Sequence, residues 1–398
     1  MHPITDQYLL TVNGGSSSLK CALYEVATGT AEPRYRFHIK RLTGAAEFHI
    51  SDAQNNALHQ GPSDARNTPA EERFLLAIAE ILRWLIQLPE PIQPTVFSHR
   101  VVHGGNQFSV PTEISDEVVK QLESLAPLAP LHQPYNLELV EVCRQASPDS
   151  RHIACFDTMF HQSQSPLERH YALPAELSQT GIQRYGFHGL SYEFICRQLA
   201  ADEQPLSKTI ICHLGSGASM CAVQDGLSVA SSMGFSAVEG LPMATRTGSI
   251  DPGVLLYLMD QGYNSEELTA LLYQRSGLLG VSGISPDMQT LLDHNSSEAA
   301  EAVEMFCYRC ALEIGRLSAA LNGVEQIVFT AGIGENSAEI RDRIIQRTSW
   351  LGAKLDKVAN NSAVQLMYLY YLLTQFVVPF SLSDQQSHLL ASYAHKVS

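Results

Sequence analysis

Ile211-Cys212-His213-Leu214-Gly215-Ser216-Gly217-Ala218-Ser219 is the stretch on which the reading of this chain turns. An apolar strand, Thr209 to Cys212, runs into a Gly/Ser turn, and a second strand-like run, Met220-Cys221-Ala222-Val223, follows. Small residues between strands leave backbone N–H groups able to converge on an anion. An ordinary β-turn is the competing reading of that turn alone. The N-terminal part of the chain carries the same pattern. Leu9-Leu10-Thr11-Val12 runs into Asn13-Gly14-Gly15-Ser16-Ser17-Ser18-Leu19-Lys20, then Cys21-Ala22-Leu23-Tyr24. With Asn13 laid on His213, Gly15 meets Gly215, Ser16 meets Ser216, Cys21 meets Cys221 and Ala22 meets Ala222. An internal repeat constrains architecture more than any single motif. It predicts two related domains, each offering a phosphate-cradling hairpin to a shared cleft.

At 398 residues the chain exceeds one ordinary core, which agrees with two domains. The composition, 45% hydrophobic and 17% charged, describes a globular protein. A net charge of −15 argues against nucleic-acid or anionic-membrane partners, yet a few arginines suffice for a locally positive cleft. The N-terminus shows no basic region ahead of an apolar core, so no secretory signal is expected and the cytoplasm is the expected compartment. The apolar run from Leu366 to Phe380 is interrupted by Thr374, Gln375 and Pro379 and falls short of the ~20 residues of a membrane span. Eight cysteines are scattered, several inside strand-like runs, and read as reduced buried thiols. Cys307 and Cys310 have metal-ligand spacing but no second pair beside them.

Along the chain, residues 8–50 read as strands around the first hairpin, and Thr68 to Gln87 has helical periodicity. Val96-Phe97-Ser98-His99-Arg100-Val101-Val102-His103-Gly104-Gly105 is a short strand ending in a basic, Gly-rich turn. Arg100 there suits a carboxylate or phosphate, with a surface salt bridge as the alternative. Helices are expected over Ile114–Ala126 and Asn136–Arg144, with His132 in the proline-punctuated loop between them. Asp157 follows the strand Ile153–Phe156, where a carboxylate serves magnesium or base chemistry, or caps a helix. His188, in Arg184-Tyr185-Gly186-Phe187-His188-Gly189, precedes a helix and is placed either to reach an anion or to serve structure. Arg246 is a second arginine in a Gly-rich turn. Helices follow over Gly253–Gln261, Ser265–Ser276 and Ser297–Asn322. The strand Gln326–Thr330 then opens into Ala331-Gly332-Ile333-Gly334-Glu335-Asn336, a Gly-rich turn ahead of a helix and a context for nucleotide contact.

In this order the motifs resemble those of the acetate kinase (acetate/propionate kinase) family, within the sugar kinase/Hsp70/actin superfamily, from about residue 8 to 361. Its further carriers are His213-Leu214-Gly215, Thr245-Arg246 and Ser276-Gly277-Leu278-Leu279-Gly280. The resemblance implies an α/β protein of two duplicated actin-like (ribonuclease H-like) βββαβαβα domains around a central cleft. Residues 1–157, completed by 387–398, would form the N-terminal domain, and 158–386 the nucleotide-binding one. It also implies a homodimer, and reversible transfer of the ATP γ-phosphoryl group to acetate, with propionate as the other acid, giving acyl phosphate and ADP. Arg100 and Arg246 would hold the carboxylate and the phosphoryl group, and His188 and His213 would contact the phosphoryl. Asp157 would orient magnesium, its waters or Arg246. Asn13 and Gln385 would lie at the metal (Mg²⁺ or Mn²⁺), with Ser16 and Ser18 nearby. Lys20, His213, Gly215, Ser216, Gly217, Asp287, Met288, Gln289, Gly332, Ile333, Gly334 and Asn336 would meet the nucleotide. Val102, Leu131 and Phe187 would wall the acyl pocket, where a valine favours acetate.

Several positions differ from the family pattern. Ser216 stands for Asn, Leu190 and Tyr192 replace Thr and His after Phe187-His188-Gly189, Gln289 stands for Arg, and Gln385 for a metal-binding Glu. They motivate two alternatives to the active kinase. One is a catalytically weakened nucleotide-binding relative acting as sensor or partner. The other is a kinase using a different phosphoryl donor.

Overall fold

The computed structural model describes residues 8–15, 17–26, 32–69, 72–204 and 206–362. Ser16, Gln385, the apolar run from Leu366 and the segment 387–398 lie outside the described residues. The described chain forms two compact units, one of residues 8–99 with 142–153, the other of 100–141 with 154–362.

The first unit is built on strands β1 (Tyr8–Gly15), β2 (Ser18–Glu25), β3 (Tyr35–Lys40), β4 (Glu47–Asp52) and β5 (Ala57–Pro62). β6 (Val96–Val101) and β8 (Arg151–Phe156) start in this unit and finish in the other, and β7 is the short pair Thr112–Glu113. The sheet runs β5-β4-β3-β2-β1-β6-β8-β7, antiparallel through the hairpins and parallel where β1 meets β6. Period-two alternation sets the register: Phe37 faces Ile50 and Ile39 faces Phe48, all four buried on one face. The helix Arg73–Ile86 buries Phe74, Ala77, Ile78, Ile81 and Leu85 at helical spacing. Its Trp84 meets Tyr35 and Phe37 edge-on at 5.0 and 5.6 Å. The helix starts later than the periodicity from Thr68 suggests. The Thr68 hydroxyl donates to Ala65 O and Pro69 follows, so Thr68 closes a turn that begins at Ala65 and does not open the helix.

The second unit carries β9 (Thr209–Leu214), β10 (Ala218–Gln224), β11 (Leu227–Ser231) and β12 (Gln326–Thr330), in the order β11-β10-β9-β12. All six residues of β9 are buried, because both faces of this sheet are covered. Ile210, Cys212, Leu214, Met220 and Ala222 pack with the helix Ser297–Ala320 through Phe306, Cys310, Ile314 and Leu317. Ile211, Cys221 and Val223 pack with the helix Gly189–Ala201 through Tyr192, Ile195 and Cys196. Alternation therefore turns His213 and Ser219 toward the helix Gly189–Ala201.

The two units repeat one topology: three antiparallel strands, with a later strand parallel to the first. The hairpins differ in one detail. Asn13 faces Lys20, whereas His213 faces Ser219, one residue nearer the turn than a uniform shift of the first hairpin gives. The gapless overlay of the two stretches thus fits the strands one at a time, not as a pair. All eight cysteines are buried and unbridged. Cys307 and Cys310 face the core of their helix, and burial raises the pKa of both thiols. Among the described residues no helix is long and apolar enough to cross a membrane.

Candidate active site

β6 and β8 lie side by side, and Asp157 N donates to Val101 O at 3.1 Å where they end. Arg100, near the end of β6, and Asp157, just past the end of β8, therefore meet. Arg100 Nε lies 3.0 and 3.2 Å from the two Asp157 carboxylate oxygens, and Nη2 lies 2.6 Å from Oδ2. Asp157 is buried, while Arg100 keeps 29% of its side chain exposed. Asp157 is thus neither a helix cap nor a partner of Arg246. The 3-10 turn Met159–Ser163 begins after Thr158 without a side-chain cap, and the carboxylate's charge is spent on Arg100.

Arg246 has no such partner among the described residues. Its Nη1 donates to Ala237 O at 3.0 Å and its Nη2 lies 3.1 Å from His132 Nε2. Burial and the nearby Arg100 lower its pKa, but a guanidinium stays charged at any physiological pH. Two arginines and one carboxylate leave the cluster with an uncompensated positive charge, which is what an anion-binding site requires.

His132, expected in the proline-punctuated loop, is a further member of this site. Burial and the cations of Arg246 and Arg100 push its pKa down to about 4. It is therefore neutral near pH 7, and its Nε2 accepts the Arg246 N–H. The available signal was its place beside Leu131, at the end of Pro130-Leu131-His132.

His188 is held by sharp backbone turns. Its own φ is +59°, in the left-handed region. A Cβ on Gly186 would meet the His161 ring at 2.6 Å, and one on Gly189 would meet Asp157 O at 2.3 Å, so both positions demand glycine. Gly189 N donates to Asp157 O at 2.8 Å, which starts the helix Gly189–Ala201 against the Arg100–Asp157 pair. The His188 and His213 rings stack with centroids 4.2 Å apart and planes at 21°. His188 Nδ1 lies 2.7 Å from Ser219 Oγ, and His213 Nδ1 lies 2.9 Å from Ser191 Oγ. Burial first, then neighbouring positive or titratable groups, holds both imidazoles well below the usual histidine pKa, so both are neutral.

The hairpin turn sits between these groups and the last strand. Gly217 lies beside His188 Nε2, 3.4 Å from where its Cβ would be. The exposed Ser216 is tied through its carbonyl to Ala244 N at 3.1 Å, linking the hairpin to the Arg246 turn. Gly215 approaches Ala331 and Gly332, as the parallel pairing of His213 with Thr330 dictates. Residues 331–336, expected as an open turn, form one helical turn closed by Asn336 Nδ2 donating to Gly332 O. Ala331 enters it at φ +66°, held by Glu335 Oε1, which accepts from Ala331 N and Thr330 Oγ1 at 2.8 and 2.9 Å. Gly332 and Asn336 are exposed, Ile333 is half-buried and Gly334 is buried.

The remaining expected residues are placed as follows. Val102, Leu131 and Phe187 come together around a small cavity of about 10 Å³, with Leu128, Ala129, Pro130, His132, Ser236, Ala237 and Tyr273. Two of its walls, His132 and Ala237, are the residues that hold Arg246. Asp287 caps the short helix Met288–Leu292, whose Met288 is buried in the core and whose Gln289 is bonded to Asp293. Asn13 and Lys20 face one another across β1 and β2 in the first unit.

A site of arginines and neutral histidines below a glycine-turn hairpin, in a twice-repeated strand topology, defines a class of phosphate-handling protein. Residues 8–367 match the acetokinase family. Acetate kinase of Rickettsia felis is 42% identical over 364 residues, covering 90% of this chain and 92% of its own. Acetate kinase of Methylocella silvestris is 42% identical over 381 residues, covering 93% and 94%. A crystal structure of a propionate kinase from Francisella tularensis superposes with a TM-score of 0.81 at 32% identity, covering 89% and 91%. That of acetate kinase from Entamoeba histolytica gives 0.78 at 30%, covering 90% of each chain. The chain belongs to the acetokinase family, and its fold is the duplicated actin-like one.

Proposed function

We propose that this protein reversibly transfers the γ-phosphoryl group of ATP to acetate, giving acetyl phosphate and ADP. One observation carries the reading: Arg246, half-buried and without a carboxylate partner among the described residues, is bonded to two walls of a small apolar cavity, Ala237 and His132, with the Arg100 cation nearby. An acetate carboxylate is already an anionic nucleophile near neutral pH, so no base is needed. One of its oxygens forms the new bond to the γ-phosphorus while the bond to the β-bridging oxygen breaks, and ADP leaves with that electron pair. What remains for the protein is alignment and charge neutralisation. Arg246 and Arg100 would bind the two anions, Asp157 would fix the Arg100 fork, and His188 and His213 would meet the phosphoryl oxygens. Gly215, Ser216 and Gly217, with Gly332 and Ile333, would cradle the nucleotide.

A magnesium ion bound to the nucleotide phosphates would supply further charge neutralisation. Such an ion keeps much of its water shell and needs no protein cage. Among the described residues no cluster of three or more His, Cys, Asp or Glu could hold a metal, so the proposed ion is one carried by the nucleotide. Asn13 would stand toward that ion.

Acetate is preferred to propionate because the cavity has room for about one water-sized sphere. A homodimer belongs to the same reading. The helix Pro252–Asp260 buries none of its residues, and Leu256, Tyr257 and Met259 are 64, 62 and 56% exposed, an apolar face suited to a second copy. A division into domains of 1–157, completed by 387–398, and 158–386 and a cytoplasmic location complete the reading. Incubation with MgATP and acetate, trapping acetyl phosphate as its hydroxamate, is the test. Product well above that of an Arg246→Ala control is expected, and product equal to the control refutes the reading.

A further inference from the structure

Tyr192 and Ser219 are both fully buried, and their hydroxyls are hydrogen-bonded to each other. Ser219 Oγ is also 2.7 Å from His188 Nδ1. The contact follows from the fold. Alternation along β10 turns Ser219 toward the helix Gly189–Ala201, and Tyr192 stands on the first turn of that helix, just after His188. Three polar groups in a row, two of them fully buried, order their protons along one direction or the other. Either the imidazole Nδ1–H donates to the serine and the serine to the tyrosine, or the chain runs the opposite way.

The ligand decides between them. A phosphoryl oxygen is an acceptor only, and a neutral imidazole has one N–H to give. His188 can donate from Nε2, the nitrogen beside Gly217, only if Nδ1 is itself an acceptor. We propose that Tyr192 and Ser219 are positioning residues that fix His188 in its Nε2–H tautomer. Tyr192 O–H donates to Ser219 Oγ, and Ser219 O–H donates to His188 Nδ1. His188 Nε2–H is then aimed at an equatorial oxygen of the transferring phosphoryl group. This rests on the reading of His188 as a phosphoryl contact.

Three further observations support it. The burial and the cations that keep His188 neutral make the choice of tautomer matter, since an imidazolium would donate from both nitrogens. The left-handed backbone at His188 is a conformation a non-glycine residue keeps only when its surroundings over-determine it, and the bonded ring is one of those surroundings. His213, stacked on His188, is bonded at the same nitrogen by Ser191.

The test combines kinetics with long-range ¹H–¹⁵N spectra of histidine-labelled protein, the His188 signals being assigned by their loss in His188→Gln. In the unaltered protein Nε2 should carry the proton and Nδ1 should have the shift of an unprotonated acceptor. Ser219→Ala should release the Nδ1–H tautomer. It should lower kcat by roughly 10- to 100-fold, as loss of an orienting partner does elsewhere, with KM for acetate and ATP changed by less than about threefold. Tyr192→Phe, which keeps the ring and its packing, should move both readouts the same way but less, and carries the test if Ser219→Ala does not fold. Ser219→Thr, which keeps the hydroxyl, should restore the tautomer. An Nδ1–H tautomer in the unaltered protein overturns the proposal, as do variants with the same tautomer and the same kcat. If the unaltered protein makes no acyl phosphate, the kinase reading fails, while the spectra still decide whether these two hydroxyls set the tautomer.

Discussion

Enlarging the small cavity should change which acid is used. Its core-side walls are Val102, Ala129 and Phe187, all buried, and Tyr273 closes it from a half-exposed position. A free volume of about 10 Å³ takes a methyl-sized group, and the extra methylene of propionate would have to displace a wall. Forcing one methylene into a packed site costs ~1–3 kcal/mol, which is a preference for acetate of roughly 10- to 200-fold in kcat/KM. Val102→Ala removes two methyl groups from one wall while leaving intact the bond from Val102 N to Asn136 Oδ1. The added space should cancel most of that penalty and gain about 0.8 kcal/mol for burying the new methylene. The acetate-to-propionate ratio should therefore fall by about tenfold or more, mainly through propionate. The same change should cost about 2 kcal/mol of folding stability, from two lost methyl groups and the space they leave. Tyr273→Ala opens the cavity on its solvent side and should admit butyrate as well, at a smaller stability cost because the ring is only half-buried. The assay is hydroxamate trapping across acetate, propionate and butyrate at fixed MgATP, with urea melts in parallel. An unaltered protein that uses propionate as well as acetate refutes the argument, as does a ratio that neither substitution moves.

Asp157→Asn should leave Arg100 and Arg246 as two unneutralised cations, lowering stability by about 3 kcal/mol and kcat/KM by ~100-fold or more, measured by urea unfolding and steady-state kinetics. Acidification should destabilise the fold from about pH 6.5 downward. His161 is buried and its pKa is pushed down to about 4, so the unfolded chain binds a proton first and stability is lost as pH falls between the two values. That group alone accounts for ~3 kcal/mol across the window, His103 and His132 act in the same direction, and urea midpoints between pH 7 and pH 4 read the sum. Glu335→Gln can still accept from Ala331 N but loses the charge that strengthens both bonds, so ATP affinity by calorimetry should weaken by about tenfold and acetate KM should not follow. Leu256→Glu with Tyr257→Glu should convert a dimer to a monomer in light scattering, and an unchanged mass excludes this helix as the interface.

Much of the fold could be read from the chain because its signals are local. Thr209–Leu214, buried on both faces, reads as an apolar run, and Phe37, Ile39, Phe48 and Ile50 show the alternation of strands with one buried face. The helix Gln133–Ala146 began earlier than expected for a reason that is not local. The Gln133 side chain grips the backbone of His103 through both its oxygen and its nitrogen, and that partner lies 30 residues away. The site divides the same way. Arg100, Asp157, His188 and Arg246 were visible as residue types at strand ends and tight turns. Which of them pair was not visible, because pairing is set by strand adjacency and register. Asp157 belongs to Arg100 because β6 lies beside β8. His132 becomes part of the site only through an arginine 114 residues later, and Ser219 meets His188 only because β10 turns that face to the helix. The distinction has a chemical consequence. Composition gives a chain of net charge −15, unpromising for two anionic substrates. Pairing gives a cluster in which one carboxylate is spent on one arginine and the neighbouring imidazoles are neutral, so that the whole charge of Arg246 remains for a ligand. Anion binding here is a property of who is bonded to whom, and substitutions that keep residue type but shift a partner should damage it as much as those that remove a charge.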